Sequence, residues 1–155
     1  MPLHRLLYTS EMALIGSETD IRQQVADIVA RSAARNVADG LTGALLQTRG
    51  MFIQALEGPL AAIEATFERI CCDLRHRRVD LQEFVRADSR VFGEWSMVNI
   101  TPDRTIEKLF TAAELLSEQE HEAVSAQATI QLMRSLLLTN STPMTHSSLQ
   151  STRFS

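Results

Sequence analysis

Gln54 is the side chain in this sequence whose type and position most suggest chemistry. It lies within an apolar run, Met51–Leu56. A carboxamide among apolar side chains needs partners for its donors and its acceptor, or its burial costs about 1–3 kcal/mol. An amide can also turn over and exchange donor for acceptor, so it could store a two-state hydrogen-bond signal. The alternative is that this face is only half buried and that Gln54 contacts water.

Side chains that could exchange electrons are scarce in the chain. The sequence has one tyrosine, Tyr8, and one tryptophan, Trp95. Phenylalanine is a much poorer electron donor, so these two rings are the candidates for redox chemistry.

A β-hairpin is predicted to position Gln54. Two apolar runs of strand length flank Arg49-Gly50, a turn dipeptide whose glycine can adopt a positive φ. A two-residue loop places Leu45 opposite Gln54. Directly opposed residues share a face, so Gln54 is expected to point the same way as Leu45 and Phe52.

A strand and a helix are predicted before the hairpin. Alternation of apolar residues indicates a strand over Leu3–Ser10, in which Tyr8 and Ser10 share one face. A capping-box-like sequence at Ser17 begins a helix that is expected to run to about Ala34.

A second helix is predicted to follow the hairpin, because Pro59 is favoured at the first helical position. Its residues Arg69 and Asp73 are four apart and are expected to pair on one face of the helix. The apolar stripe of this helix consists of Ile63, Phe67, Ile70 and Leu74.

Further strands are predicted over Leu81–Arg86 and Trp95–Ile100. The resulting order is that of a ferredoxin-like βαββαβ sandwich of the α+β class with an extra strand, whose two helices cover one sheet face. The C-terminal helices are expected to cover the other face.

The remainder of the chain predicts a helical extension over residues 101–138. Residues 106–113 form a short amphipathic pattern, and a second helix carries an apolar stripe at Ala126, Ile130, Met133 and Leu137. That stripe either packs on the sheet or forms a seam with another subunit. Residues 139–155 are rich in Ser and Thr and are expected to be disordered, and residues 1–100 are expected to form the main folded domain.

Several classes of function find no support in the sequence. It contains no phosphate-binding loop, dinucleotide fingerprint, nucleophile elbow or HExxH motif, so an enzyme is not predicted. The four histidines, His4, His76, His121 and His146, lack metal-ligand spacing, and no metal site is expected.

Composition argues against nucleic acid and membrane as partners. The net charge is −4, and no basic stripe stands out. Cys71 and Cys72 are adjacent and suggest no disulfide framework. With no signal peptide and no run of about 18 apolar residues, a cytoplasmic protein is expected.

Several motifs, taken together, resemble one family, the BLUF domain, over residues 3–100. An ordered series of this kind is more specific than any single motif. The series comprises Leu7-Tyr8-x-Ser10, Asn36, Leu41-Thr42-Gly43-x-Leu45-Leu46, Gly50-x-Phe52-x-Gln54-x-Leu56-Glu57-Gly58, Ile70-x-x-Asp73-x-Arg75-His76 and Arg90-x-Phe92-x-x-Trp95-Ser96-Met97.

The resemblance implies a noncovalently bound flavin between the two helices, normally FAD, with FMN or riboflavin as alternatives. Tyr8 would give an electron and a proton to the excited flavin, which leaves Gln54 with rearranged hydrogen bonds and shifts the flavin absorption to the red. Ser10, Trp95 and Met97 match positions that relay the change, with the in or out placement of Trp95 and Met97 left open. The positions that match cofactor contacts are Ile28, Arg35, Asn36, Leu45, Phe52, Gln54, Arg69, Asp73, Arg75 and His76.

The function that follows from the resemblance is a short blue-light photoreceptor. No catalytic output domain is expected in the residues after position 100, so the signal is expected to pass to a downstream protein partner and through a homo-oligomer. The alternative function is a light-insensitive ferredoxin-like interaction module, and a small flavin-dependent enzyme is the third candidate.

Overall fold

The computed structural model describes residues 2–100 and 126–138. A five-stranded sheet has the strand order β4-β1-β3-β2-β5. The elements are β1 (Leu3–Met12), α1 (Glu18–Asp39), β2 (Thr42–Thr48), β3 (Met51–Pro59), α2 (Leu60–Cys71), β4 (His76–Ala87) and β5 (Val98–Ile100), followed by a helical segment over 126–138, named α3 here. The predicted ferredoxin-like α+β fold with an extra strand is confirmed.

The hairpin of β2 and β3 has the predicted register. Leu45 lies opposite Gln54, and Gln47 lies opposite Phe52. The loop residues Arg49 and Gly50 both have positive φ, 53° and 76°, as a two-residue turn that matches the strand twist requires. The predicted turn is therefore correct.

The central strand pair, β1 and β3, is antiparallel and brings Tyr8 directly opposite Gln54. Tyr8 packs with Leu6 on the side covered by the helices α1 and α2, and Leu7 packs on the other side. The side that bears Tyr8 and Gln54 is named the cleft face, and the opposite side is named the far face.

Helix α1 begins as predicted but ends later. Ser17 Oγ accepts from the Asp20 N–H, and Asp20 Oδ2 accepts from the Ser17 N–H, both at 3.1 Å. The helix continues to Asp39, because Gly40, with φ 72°, provides the left-handed cap that ends it. The prediction that it ends near Ala34 was wrong, and Asn36 lies inside its last turns.

Helix α2 is shorter than its apolar pattern predicted. The helix begins at Leu60 and ends at Cys71, so Pro59 is its N-cap and not the predicted first helical residue, because Pro59 still belongs to β3. Ile63 of the predicted stripe is fully buried, whereas Leu74 lies beyond the helix and is 91% exposed. The assignment of Leu74 to the stripe was wrong, because the helical period stops before it.

The last two strands lie at opposite edges of the sheet. β4 begins at His76, five residues before the predicted start at Leu81. β5 runs parallel to β2 and begins at Val98, so the prediction that it begins at Trp95 was wrong. Trp95 and Met97 lie on opposite sides of the sheet, whereas residues two apart in a regular strand share a face.

The far face is covered by α3. Its predicted stripe of Ala126, Ile130, Met133 and Leu137 is buried with Leu7, Ala44 and Ile53 of the sheet. Of the two alternatives for this stripe, packing on the sheet is therefore the one observed. The helix predicted over 106–113 and the tail predicted over 139–155 lie outside the described residues.

No helix within residues 2–100 and 126–138 is long and apolar enough to cross a membrane.

Candidate functional site

A cleft of about 170 Å³ opens between α1 and α2 on the cleft face. Its wall combines apolar side chains with amides, carboxylates and guanidinium groups. The lining residues are Ile28, Arg31, Ser32, Arg35, Asn36, Gln54, Thr66, Arg69, Ile70, Asp73 and Arg75.

Tyr8 and Gln54 form a buried hydrogen-bonded pair at the cleft. The phenol Oη of Tyr8 donates to Gln54 Oε1, and Gln54 Nε2 donates to the thioether sulfur of Met97 at 3.7 Å. Gln54 is 5% exposed and Tyr8 is fully buried. The alternative that Gln54 merely contacts water is therefore wrong, and both ends of its amide have partners within the protein.

Burial raises the pKa of the Tyr8 phenol, with smaller contributions from the nearby Asp73 and Cys71. An isolated phenolate is poorly solvated in such surroundings. Tyr8 therefore stays a neutral hydrogen-bond donor across the ordinary pH range.

Met97 and Trp95 lie on opposite sides of the sheet. Met97 is buried with Phe52 and Leu45 on the cleft face. Trp95 packs against the far-face core, and the guanidinium carbon of Arg134 in α3 lies 5.3 Å from its ring centroid. The placement that the sequence left open is therefore Met97 toward Gln54 and Trp95 toward α3.

Asn36 connects the cleft to the segment that contains these two residues. It is 1% exposed, because the last turns of α1 press it against the sheet edge. Its Nδ2 donates to the Ser96 carbonyl at 2.7 Å. A ligand that contacts Asn36 therefore sits one hydrogen bond away from the residue that precedes Met97.

Ser10 and His76 form a second buried polar pair beside Tyr8. Ser10 Oγ and His76 Nδ1 are 2.8 Å apart, and the imidazole lies 4.8 Å from the Phe52 ring, centroid to centroid. Burial lowers the pKa of His76; Asp73 raises it and Arg75 lowers it by smaller amounts. His76 is therefore a neutral imidazole at neutral pH.

The predicted ion pair of Arg69 and Asp73 does not form. Asp73 lies beyond the end of α2 and accepts from Arg75 Nε at 2.9 and 3.0 Å. This hydrogen bond is the main reason that the pKa of Asp73 lies below its ordinary value. Arg69 instead donates to Thr66 Oγ1 at 3.0 Å and approaches Asp39 at 3.8 Å.

The structure brings most of the predicted cofactor contacts together. Leu45 and Phe52 do not line the cleft but pack in one cluster with Ile28 and Ile70, which do. His76 lies beside Phe52. The predicted residues that line the cleft are Ile28, Arg35, Asn36, Gln54, Arg69, Asp73 and Arg75.

Four lining residues were not among the predicted contacts: Arg31, Ser32, Thr66 and Ile70. Ile70 was predicted only as part of the apolar stripe of α2 and of the motif series. Helical periodicity is the signal that could have found the other three. Arg31 and Ser32 lie three and four residues after Ile28, and Thr66 lies three residues before Arg69, so each shares a helix face with a predicted contact.

The donor set of the cleft fits a flat ring compound with a polar edge and an anionic group. Ile28 and Ile70 offer apolar surface, while Asn36 and Gln54 offer amides. The guanidinium groups of Arg31, Arg35 and Arg69 offer the planar donors that suit phosphates. Within residues 2–100 and 126–138, no group of three or more His, Cys, Asp or Glu could hold a metal ion.

Comparison with known proteins identifies the family. The family model described as "BLUF: Sensors of blue-light using FAD" matches residues 3–98. The photoactivated adenylate cyclase subunit alpha of Euglena gracilis is 36% identical over 88 residues, which are 57% of this chain and 8% of that protein. The subunit beta from the same organism is 32% identical over 83 residues, 53% of this chain and 10% of that protein. The chain thus spans at most a tenth of the length of these relatives.

Solved structures share the fold. BlsA in its photo-activated state superposes with a TM-score of 0.69 at 26% identity and covers 87% of this chain and 94% of its own. BlrB, a BLUF protein in its dark state, superposes with a TM-score of 0.69 at 25% identity. The match covers 86% of this chain and 96% of the BlrB chain. Because the family model matches more than half of the sequence, this chain belongs to the BLUF family of blue-light sensors that use FAD.

Proposed function

We propose that this photoreceptor detects blue light through Tyr8 and Gln54, with FAD in the cleft between α1 and α2, and passes the signal on through Met97 and Trp95. When bound, FAD supplies the absorption of blue light and an excited ring that accepts an electron and a proton. The observation that carries the proposal is the pair of hydrogen bonds at the two ends of the Gln54 amide.

The two partners of the amide differ in chemistry. A phenol hydroxyl both donates and accepts, so Tyr8 can bond either end of the amide. A thioether sulfur only accepts, so Met97 can bond the Nε2 end alone. If Gln54 turns over, or otherwise presents an acceptor to Met97, the bond to Tyr8 survives and the bond to Met97 is lost. Met97 therefore distinguishes the two states of Gln54.

The Tyr8 phenol is placed to lose its proton only together with an electron. Its raised pKa disfavours a phenolate, but a phenol that loses an electron becomes a strong acid and must release its proton. The hydrogen-bond acceptor beside it is Gln54 Oε1. Proton movement from Tyr8 thus acts directly on the amide that reports the event.

The signal reaches the far face through the irregular segment from Trp95 to Met97, which places these two side chains on opposite sides of the sheet. Met97 contacts Gln54 on the cleft face. Trp95, two residues earlier, contacts Arg134 of α3 on the far face, and Glu94 holds the same guanidinium at 2.8 Å. Loss of the Met97 contact therefore alters the surface on which α3 packs.

The cleft arginines favour a flavin that carries phosphates. Arg31, Arg35 and Arg69 line the opening, and bidentate guanidinium groups suit phosphate oxygens. We place the phosphates of FAD near these residues and the polar ring edge near Asn36. FMN would use the same contacts, whereas riboflavin would use only those of the ring.

The proposed output is contact with a protein partner rather than catalysis, and the proposed location is the cytoplasm. The adenylate cyclase in the names of the Euglena proteins belongs to chains of which the matched region is at most a tenth. In this proposal residues 1–100 are the sensor, and residues 101–138 pass the signal to a partner or a second copy. The exposed thiols of Cys71 and Cys72 suit a reducing compartment.

An absorption spectrum before and after blue illumination tests the function. The purified chain is expected to contain flavin and to show a small red shift that reverses in the dark. A protein that binds flavin without any reversible shift would contradict the proposal and leave the light-insensitive interaction module in its place.

Tyr8→Phe tests the role of the phenol. It removes the hydroxyl but keeps the ring, so flavin is expected to stay bound while the red shift disappears. Thr9→Val is the matched control, because it removes a hydroxyl from the next residue, on the far face, and should keep the full shift. A normal shift in Tyr8→Phe would refute the role of Tyr8.

A further inference from the structure

The connection between β4 and β5 crosses the sheet. These strands lie at opposite edges, so residues 88–97, named the crossing segment here, must pass from one edge to the other. Phe92 of this segment is fully buried in the far-face core. The segment ends with Trp95, Ser96 and Met97, the residues that link Gln54 to α3.

Glu57 is the buried group that holds the start of this segment. It is 1% exposed, and alternation along β3 places it on the far face with Ile53 and Ala55. Its two carboxylate oxygens accept from the backbone N–H groups of Val91 and Phe92, both at 2.7 Å. A buried carboxylate with such partners is stable and geometrically well defined.

Two arginines complete the attachment around Glu57. Arg5 Nε donates to Glu57 Oε2 at 2.9 Å, and Arg5 Nη2 donates to the Ser89 carbonyl at 3.0 Å. Arg90 donates to the Glu57 carbonyl at 3.0 Å and to Gly40 O at 2.9 Å. The segment is thus tied to β1 through Arg5, to β3 through Glu57 and to the C-cap of α1 through Arg90 before it reaches Phe92.

After Phe92, two backbone hydrogen bonds and one side-chain hydrogen bond connect the crossing segment to the sheet and to Gln54. The Trp95 N–H donates to Phe92 O at 3.1 Å, and the Gly43 N–H donates to Trp95 O at 3.0 Å. Gln54 Nε2 then bonds Met97. The same strand, β3, therefore holds the crossing segment at both ends, through Glu57 on the far face and Gln54 on the cleft face.

We infer that Glu57 is a positioning residue for the photocycle, because it fixes the point from which the crossing segment presents Met97 to Gln54 and Trp95 to α3. This inference rests on the proposed roles of Gln54 and Met97. The contacts of Glu57 require a carboxylate. Two adjacent backbone N–H groups and a guanidinium all donate to it, so the group at this position must only accept. A glutamine of the same shape would turn its NH₂ toward one of these donors.

Glu57→Gln in the full chain tests the inference with two readouts. The rate of dark recovery after blue light is expected to change by about two- to tenfold, the equivalent of one hydrogen bond of ordinary strength. Trp95 is the only tryptophan, so acrylamide quenching of its emission reports the segment without background. In the dark, acrylamide is expected to quench Trp95 emission more strongly in Glu57→Gln than in the wild type.

Two controls separate positioning from general destabilisation. Glu83→Gln makes the same chemical change on the edge strand β4 and should keep the wild-type recovery rate and quenching. Ile53→Val weakens the far-face core, in which Ile53 is 5% exposed, and should lower the urea midpoint without altering recovery. If Glu57→Gln fails to fold, Glu57→Asp, which keeps the charge but shortens the reach, is judged by the same readouts.

Wild-type recovery and wild-type quenching in a folded Glu57 variant would overturn the inference. It would also fall if Ile53→Val changed recovery as much as Glu57→Gln. Quenching of Trp95 needs no photocycle, so it decides whether Glu57 positions the crossing segment even if the chain shows no light response. The absence of a light response would count against the proposed function alone.

Discussion

The two faces of the central strands place neighbouring residues in contrasting surroundings. On β3, Gln54 faces a cleft that has amides, guanidinium groups and a carboxylate in its wall. Ile53 and Ala55, its immediate neighbours, face a core formed with α3, in which Phe92 and Met133 are fully buried. The backbone of one strand thus serves a polar network on one side and close apolar packing on the other.

This contrast separates two requirements of a light sensor. A hydrogen-bond switch needs partners that can exchange roles, as the phenol of Tyr8 can, and a cleft that admits a ligand. Stability needs apolar area removed from water, which the far face supplies. Changes to the apolar side chains that pack on the far face should therefore alter stability before photochemistry, and changes on the cleft face should do the reverse.

Met133→Ala should give the largest change in stability. Met133 is fully buried under the far face, and truncation of such a side chain leaves a cavity, so we expect a loss of about 2–5 kcal/mol in the free energy of unfolding. Urea unfolding measures this loss, and the light-induced red shift should stay unchanged at low urea.

Gln127→Ala is the control for Met133→Ala, since residue 127 lies on the exposed side of α3. It should unfold within about 0.5 kcal/mol of the wild type. A Met133→Ala protein that stays as stable as the wild type, or that folds but loses the red shift, would break the proposed division between the faces.

His76→Gln should produce a smaller, pH-dependent effect. In the folded state burial holds the pKa of His76 below its ordinary value of 6.5. As pH falls below 6.5, the imidazole is therefore protonated in the unfolded chain before it is protonated in the folded protein. Stability should therefore decrease from pH 7.5 to 5.5 and should decrease less in His76→Gln. The pKa of Asp73 is lowered, so its contribution to the stability of the folded state is lost only at more acidic pH.

Urea unfolding at several pH values between 7.5 and 5.5 measures this difference. Identical pH dependence in His76→Gln and the wild type would show that the imidazole is not held neutral by its surroundings.

The parts of the fold that follow from local rules were predictable from the sequence. Alternation with period 2 and the Arg49-Gly50 turn determine the register that places Leu45 opposite Gln54. The ends of the helices were less predictable. Nothing before Gly40 forces α1 to end. The apolar period of α2 continues to Leu74, but the helix ends at Cys71, and Asp73 accepts from the Arg75 N–H in the turn that follows.

The sequence indicated most of the residues that line the cleft but not all of their pairings. Most expected contacts line one cleft, because the motif series indicates which helix faces meet the sheet. Spacing alone suggested an ion pair of Arg69 with Asp73, whereas the end of α2 leaves Asp73 free to bond Arg75. The placement of Met97 and Trp95 depends on an irregular segment, for which sequence offers no period.

The light-minus-dark absorption spectrum of Gln54→Leu tests the central claim most directly. Leucine keeps the approximate volume but removes both hydrogen bonds of the amide, so the variant should retain flavin and lose the red shift. Gln47→Leu is the matched control, because Gln47 bonds Asn99 at 2.6 Å away from Tyr8, and it should keep the shift. A normal, reversible red shift in Gln54→Leu would contradict the claim that this amide stores the light signal.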